Sequence, residues 1–429
     1  MISLKLPACT HLGEGSVKTV PEIIRRENAK KVVVFTDQGV RQSGVCDVLL
    51  RELTDVSYEV LDDIPREPSY LDVEKIAAQL EAVACDLIVA IGGGSVMDTA
   101  KLCSILKGAP YTVRDLLQNP TQGRKQVKTV FLPTTCGTGS EATCNAIVAI
   151  PEESVKKGIV NDAMIPDYAV LDPLTIRHLP KAIVAATGVD ALAHVVECYT
   201  SLKATDFSNM FALTGAKLIF ENLVRAYEGP DDMEAKTAMM LGAFYGGVAI
   251  TASGTTAVHA LSYPLGGKFH IAHGVSNAIL FAPVMRCNRP ACEKELAQLC
   301  DAVYPECHGQ SAEEKSLRVI AAIEDIIRRT DIPTDLKPYG VQAIREMQRL
   351  GIAADVSHLN EAGVFDILNK TDKPPMASHS NCRALVDHPR NLSDEQLRAM
   401  FKAGGFVGVN FWPTIIGEPA NIDHLIDHI

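Results

Sequence analysis

DLIVAIGGGSVMDTAK, Asp86 to Lys101, decides how the first half of the chain is read. It opens on an apolar run of strand length, turns through the triplet Gly92 to Gly94, and continues into a helical pattern, TAKLCSIL. A strand that turns through glycines into a helix leaves backbone N–H groups and the positive helix end open at the turn. Gly93 and Gly94 carry no Cβ to hold a ligand off, so a pyrophosphate can approach, and Ser95 can add its hydroxyl. A tight turn with no ligand has the same sequence, and the triplet alone does not choose between the two.

Three more β-branched runs flank this unit, KKVVVF (Lys30 to Phe35), KTVFLPT (Lys128 to Thr134) and YAVLD (Tyr168 to Asp172), with helical stretches between them. Strands spaced by helices predict a mostly parallel sheet covered on both faces. A second turn, PTTCGTGSEAT (Pro133 to Thr143), is rich in glycine and hydroxyls and also follows a strand. Two such turns at neighbouring strand ends would line one crevice. Asp37, just after KKVVVFT, stands where a carboxylate could accept a hydrogen bond from a ribose 2′-hydroxyl. It would repel the 2′-phosphate of NADP, which favours NAD, although a solvated loop aspartate is the alternative.

At 429 residues the chain has length for two or three domains. Apolar residues at 47% and charged residues at 22% are globular proportions, and no apolar run nears the roughly 20 residues of a membrane span. A net charge of −11 with no basic stripe argues against nucleic acid as a partner. The twelve cysteines form no CxxC pair and the N-terminus lacks the pattern of an export signal, so reduced thiols in a cytoplasm are expected. From Lys181 to about Arg329 the texture is Ala-, Leu- and Met-rich with helical periodicity, and after Tyr339 strand-like and helical stretches alternate again.

TGVDALAHVVECYTS sets Asp190 and His194 four residues apart in a helical pattern, one turn apart on one face. His259 and His273 lie further on and could reach the same point. One carboxylate and three imidazoles suit Fe(II) or Zn(II), which would polarise an alcohol oxygen while hydride leaves for nicotinamide. Each histidine taken singly is as readily a satisfied core or surface residue, and the combination carries the reading.

GGGSVMDTAK, PTTCGTGSEAT, ATGVDALAHVVECYTS and HALSYPLGGKFHIAHGVSNAIL occur in the order and at about the spacing of the iron-containing (group III) alcohol dehydrogenases, which the chain resembles over about residues 1–338. The resemblance implies an α/β, Rossmann-like and dehydroquinate-synthase-like NAD-binding domain over 1–180, an all-helical metal-binding domain over 181–338, and a cleft between them. The implied activity is NAD-linked, reversible oxidation of a small primary alcohol to its aldehyde, in an enzyme whose relatives commonly form homo-oligomers. The implied metal ligands are Asp190, His194, His259 and His273. The implied dinucleotide contacts are Asp37, Gly93, Gly94, Ser95, Asp98, Thr134, Thr135, Thr138, Thr143 and Lys156. Many members carry a second histidine near the nicotinamide where this chain has Tyr263, whose ordinary pKa near 10 makes it a poor base but leaves it able to relay a proton.

The end of the chain reads differently. REMQRLGIAADVSH, KPPMASHSNCRALVDHPRNLSDEQ and GGFVGVNF resemble the M19 family of zinc dipeptidases, whose fold is a (β/α) barrel. That resemblance implies a partial barrel fragment over 339–429, with His358 and His379 matching zinc ligands and Arg390 matching an arginine that binds a substrate carboxylate. The early HxD pair and the bridging glutamate of that family are missing, so the three residues are expected to be vestigial and no peptidase activity is expected. The expected junction lies within LKPYGVQAIREM, Leu336 to Met347, and implies a chimera with unpaired strand edges and low stability.

Overall fold

The computed structural model of the chain describes residues 4–429 apart from 154, 270, 337–339, 341–343, 346, 347 and 350. They form two compact units, Met1–Thr334 and Asp335–Ile429.

In the first unit the strands are β1 (Cys9–Leu12), β2 (Val32–Phe35), β3 (Tyr58–Leu61), β4 (Leu87–Gly92), β5 (Lys128–Pro133), β6 (Asn145–Ile150), β7 (Val155–Val160) and β8 (Tyr168–Leu171). Six of them make a parallel sheet in the order β1-β8-β5-β4-β2-β3, and β6 pairs antiparallel with β7. Every residue of β2 and β4 is buried, which is why these segments read as unbroken apolar runs. Their side chains still alternate between two cores. Val33, Phe35, Ile88 and Ala90 join one, and Val32, Val34, Leu87 and Val89 join the other, on opposite faces of the sheet. Helices α1 (Val20–Arg26), α2 (Gln38–Gln42), α3 (Cys46–Leu50), α4 (Tyr70–Glu81), α5 (Gly94–Leu106) and α6 (Val113–Gln118) supply the cover.

All four strands expected from the sequence are present. The ones not foreseen are β1 and β3, four-residue strands at the two edges with largely exposed or half-buried side chains, and the β6–β7 hairpin. Edge strands bury little, so their apolar signal is weak.

The two glycine turns leave the adjacent strands β4 and β5 side by side. Gly92 is in register with Pro133, and the Thr134 N–H donates to the Gly92 carbonyl at 2.9 Å. A Cβ at Gly94 would stand 2.7 Å from Thr138 Cγ2, so the turns touch only because that side chain is absent. Gly139, at φ +59°, lands the second turn against the helical half, where a Cβ would meet the Ala243 carbonyl at 2.6 Å.

That half consists of α7 (Lys181–Thr200), α8 (Asp206–Glu228), α9 (Met233–Ala252), α10 (Ala257–Phe269), α11 (His273–Val303) and α12 (Ala312–Arg329). Helix α7 is long and apolar enough to cross a membrane by composition, but its most apolar stretch is 78% buried here, as in a core helix. Helix α12 starts on a capping box, Ser311 with Glu314, and buries Val319, Ile320, Ile323, Ile326 and Ile327 along one stripe. Helix α11 is kinked at Cys292, two residues after Pro290, as expected where a proline removes a helix hydrogen bond.

In the second unit, α13 (Glu361–Lys370) and α14 (Asp394–Lys402) alternate with short extended pieces. β9 (Met376–Ala377) pairs parallel with β10 (Phe406–Val407), and Asp355 makes a parallel bridge to Met376. A small core of Ala354, Val356, Val364, Ile367, Ala377, Leu392 and Met400 holds them. The strand-like and helical stretches fall where the sequence suggested, as an open three-segment parallel ribbon. The junction expected at Leu336 to Met347 lies largely outside the described residues.

Candidate metal centre and dinucleotide cleft

Within the first unit a cleft of about 240 Å³ opens between the glycine turns and the helices. Its walls include Gly94, Ser95, Asp98, Thr138, Thr143 and Lys156 from the α/β half, and Asp190, His194, His259, Tyr263 and His273 from the helices.

Asp190 and His194 project from one face of α7, His259 lies in the first turn of α10, and His273 is the first residue of α11. The Nε2 atoms of His194, His259 and His273 lie 3.8, 3.4 and 3.5 Å from Asp190 Oδ1. Ligand atoms of Asp190, His259 and His273 all fall within 4.8 Å of one another, and the His194 ring stacks on His259 at 4.5 Å. Asn277, one turn after His273, points its amide nitrogen into the middle, 2.7 Å from Asp190 Oδ1, 3.2 Å from His259 Nε2 and 3.3 Å from His273 Nε2. An N–H donor there answers the acceptor atoms that converge on the same point. The amide oxygen of Asn277 is buried with no hydrogen-bond partner among the described residues.

The electrostatics agree. Burial pushes the Asp190 carboxyl up, but the imidazoles of His194 and His273 and the hydrogen bond with His259 outweigh it and hold the group well below the usual carboxylate range. Burial drives His194 down and His273 down to about 4, leaving both rings neutral with a lone pair free. For His259 burial is overcome by hydrogen bonds to Asp190 and Glu197, which raise it to about 9. A buried anion ringed by imidazoles fits a divalent ion bound by mixed oxygen and nitrogen donors.

Glu197 and Asn277 were not singled out in the sequence, although both sit inside the quoted motifs. The signal was helical spacing: Glu197 follows His194 by three residues and Asn277 follows His273 by four, each on its neighbour's helix face.

Of the ten expected dinucleotide contacts, Gly94, Ser95, Asp98, Thr138, Thr143 and Lys156 line the cleft, whereas Asp37, Gly93, Thr134 and Thr135 are not among its lining residues. Ser95 Oγ accepts the Glu67 N–H at 3.1 Å, and Lys156 Nζ pairs with the Glu67 carboxylate at 2.7 Å, so both already have partners at the cleft wall. Thr143 and Asp98 are tied to a buried lysine, Lys101, which donates to Thr143 Oγ1 at 2.8 Å, to Ser140 Oγ at 2.7 Å and to the Asn145 carbonyl at 2.9 Å. Thr134 is buried at the β5 end, Gly93 packs near Thr135, and Thr135 Oγ1 is buried with no hydrogen-bond partner among the described residues. Asp37 lies two residues beyond the end of β2, the strand beside β4, and caps α2 by accepting the Val40 N–H at 2.9 Å. Tyr263 stacks on His273 at 5.7 Å, and burial pushes its hydroxyl up to about 12, further from service as a base.

Glu141, in the same hydroxyl-rich turn, is fully buried, and burial pushes it up to about 7 with Lys101 only partly opposing. A carboxyl whose folded pKa lies above its ordinary 4.5 binds its proton more tightly when folded, so stability is lost as pH climbs from 4.5 through 7. At 1.36 kcal/mol per unit the ionised group costs about 3 kcal/mol at pH 8. Glu141→Gln is expected to stabilise the protein by about 1–3 kcal/mol in urea at pH 8 and by almost nothing at about pH 4. Equal effects at both pH values would dismiss a buried ionisable Glu141.

In the second unit the three matched residues do come together. His358 Nε2 is 2.9 Å from His379 Nε2, and Arg390 Nη2 is 3.1 Å from His358 Nε2. Ser378 Oγ lies 2.6 Å from His379 Nδ1 and also bonds Asp355, whose carboxyl is held low by hydrogen bonds from Ser378 and Ser357 that overcome its burial.

A parallel nucleotide-type sheet, a helical half carrying a carboxylate–imidazole cluster, and one cleft receiving both are the make-up of a two-part, metal-dependent oxidoreductase. Residues 7–173 match the family model of iron-containing alcohol dehydrogenases, and residues 184–403 match the C-terminal model of the same family, past the end of the first unit. The chain belongs to the iron-containing alcohol dehydrogenase family. It is 34% identical over 340 residues to the long-chain-alcohol dehydrogenase 1 of Geobacillus thermodenitrificans, covering 78% of this chain and 86% of that protein. With the NAD-dependent methanol dehydrogenase of Bacillus methanolicus it shares 28% over 344 residues, 80% of this chain and 90% of the other. The crystal structure of a 1,3-propanediol oxidoreductase superposes with a TM-score of 0.72 at 28% identity, over 81% of this chain and 92% of that one.

Proposed function

We propose that this alcohol dehydrogenase interconverts a small primary alcohol and its aldehyde with NAD, using a divalent iron, or zinc in its place, held by Asp190, His194, His259 and His273. The observation that carries the proposal is the convergence of three imidazole Nε2 atoms on one buried carboxylate oxygen at 3.4–3.8 Å. A metal ion there supplies Lewis acidity that stabilises negative charge on the substrate oxygen. The chain's own residues do the rest. The turns at Gly93 to Ser95 and Thr134 to Thr143 bind the pyrophosphate with backbone N–H groups and hydroxyls, and Lys156 leaves Glu67 to meet its charge. Asp37 receives the ribose hydroxyl and disfavours NADP. Tyr263 donates a hydrogen bond in the pocket and takes no proton. Methanol and propanediol in two relatives' names support the small-alcohol class, whereas the long-chain alcohol in a third supports an alcohol substrate but not its size. We assign 1–180 to NAD binding and 181–338 to the metal, in a cytoplasmic homo-oligomer without nucleic-acid or membrane partners.

Protein loaded with Fe(II) or Zn(II) is expected to oxidise NADH with short aldehydes, at a rate proportional to bound metal and at least about tenfold faster than with NADPH. Stoichiometric metal without turnover on any short aldehyde or alcohol would sink the assignment.

We further propose that residues 339–429 descend from an M19-type dipeptidase barrel joined to a truncated dehydrogenase. The meeting of His358, His379 and Arg390 beside parallel segments supports it. Two histidines without an HxD pair or bridging acid leave the remnant without hydrolytic function. Sequencing the source DNA unbroken across the codons for residues 330–350 tests the junction.

A further inference from the structure

Helix α7 carries a third buried acid-base residue besides Asp190 and His194, and it is fully sealed from solvent. Glu197 is 0% exposed, seven residues beyond Asp190 on the same helix face. Its two oxygens have separate employments. Oε1 accepts the Thr256 N–H at 3.1 Å, the Thr256 hydroxyl at 2.5 Å and the Val258 N–H at 2.8 Å. These donors stand where the chain leaves α9 and begins α10, so Oε1 fixes the entry into the helix that carries His259. Oε2 is hydrogen-bonded to Nδ1 of His259.

We infer that Glu197 is a positioning residue that sets the tautomer of His259, holding the proton on Nδ1 so that Nε2 presents its lone pair toward Asp190. The inference rests on the proposal that His259 is a metal ligand. An ionised carboxylate only accepts, so the ring nitrogen facing it must be the one that donates. The other nitrogen is then the one that gives up its proton to a bound cation and presents a lone pair, and it lies 3.4 Å from Asp190 Oδ1, on the ligand side. A ring steered by an outer carboxylate is oriented, and its free nitrogen is more basic.

Glu197→Gln separates this role from simple support. Two backbone N–H groups and a hydroxyl surround Oε1, so the amide keeps its oxygen there and turns its NH2 toward His259. Nδ1 must then accept, the proton moves to Nε2, and the donor atom is blocked while the entry to α10 remains capped. Zinc affinity of the full chain, by chelator competition, is expected to fall about 10–100-fold in Glu197→Gln. The metal-free melting temperature should stay within about 2 °C, roughly 1 kcal/mol or less for a chain of this size. His259→Ala should weaken zinc at least as much, and Glu197→Gln should cost nothing further in its background, because the effect passes through that ring. Thr256→Val, which removes one of the other contacts, should leave zinc affinity within about twofold.

Wild-type zinc affinity in Glu197→Gln beside a clear loss in His259→Ala would overturn the inference while leaving the ligand set standing. So would additive losses in the double variant, an equal loss in Thr256→Val, or failure of Glu197→Gln to fold. Unchanged affinity in His259→Ala would remove the ligand set and this inference together.

Discussion

His273→Ala is expected to reduce aldehyde-dependent NADH oxidation by on the order of 10³-fold or more, with NADH binding unchanged. Lewis-acid stabilisation amounts to several kcal/mol, and each 1.36 kcal/mol is tenfold in rate. His273 is the most exposed of the converging rings, its side chain 29% accessible against 3% for His259, and it lines the cleft where a substrate oxygen must arrive. Burial holds it down to about 4, so at neutral pH it is an uncharged donor and not an ion-pair partner of Asp190. Alanine therefore removes a lone pair and leaves the charge of the site unaltered. The turns proposed to receive the dinucleotide lie on other elements, so NADH fluorescence titration should return the wild-type affinity. An unchanged rate would mean that the cluster is a buried polar network without a metal.

What the sequence revealed and what it hid follow from how each signal is made. β2, β4, β5 and β8 are buried on both faces, and burial on both faces writes a continuous apolar run. β1 and β3 lie at the sheet edges, where half of each short strand faces water, and left no such run. The pairing of Asp190 with His194 was visible because a helix repeats its faces at fixed spacing, whereas His259 and His273 could be offered only as candidates until the family resemblance placed them in the set, since their approach depends on how α10 and α11 pack. Glu197 was passed over because a glutamate in a helix is ordinarily solvated, and its spacing of three residues from His194 is the one local mark that it shares the buried face. In the second unit the helices Glu361–Lys370 and Asp394–Lys402 fall on stretches that read as helical, whereas the short helices Pro413–Ile416 and Ile422–Asp427 were not foreseen. The ribbon they flank is two residues long at each strand, and among the described residues it does not amount to the partial barrel fragment that was expected.

The same blindness to buried charge hid Lys101, and its replacement should have the largest effect on stability. A lysine at the end of GGGSVMDTAK reads as a solvated helix residue, yet its side chain is 0% exposed. Burial pushes its ammonium down, and Asp98, with Nζ 3.3 Å from Oδ1, opposes that. Asp98 in turn accepts the Ser140 hydroxyl at 2.6 Å and the Ile147 N–H at 2.9 Å. The pair thus ties α5, the Ser140–Ala142 turn and β6 into one wall of the cleft. Lys101→Met keeps the volume but strands a carboxylate that is 14% exposed, and it takes the donor from Ser140, Thr143 and the Asn145 carbonyl. Removing one partner of a buried pair costs about 3–5 kcal/mol, because the other charge stays buried. That corresponds to a fall of roughly 10 °C in Tm, with weaker NADH binding as the wall relaxes. Adding Asp98→Asn should recover part of the loss, since the stranded charge is then gone and the two changes are coupled through direct contact. A Lys101→Met protein that melts within about 2 °C of the parent would mean less than about 1 kcal/mol in this pair, and the rigidity of the cleft wall would have to come from the glycine contacts at Gly94 and Gly139 instead.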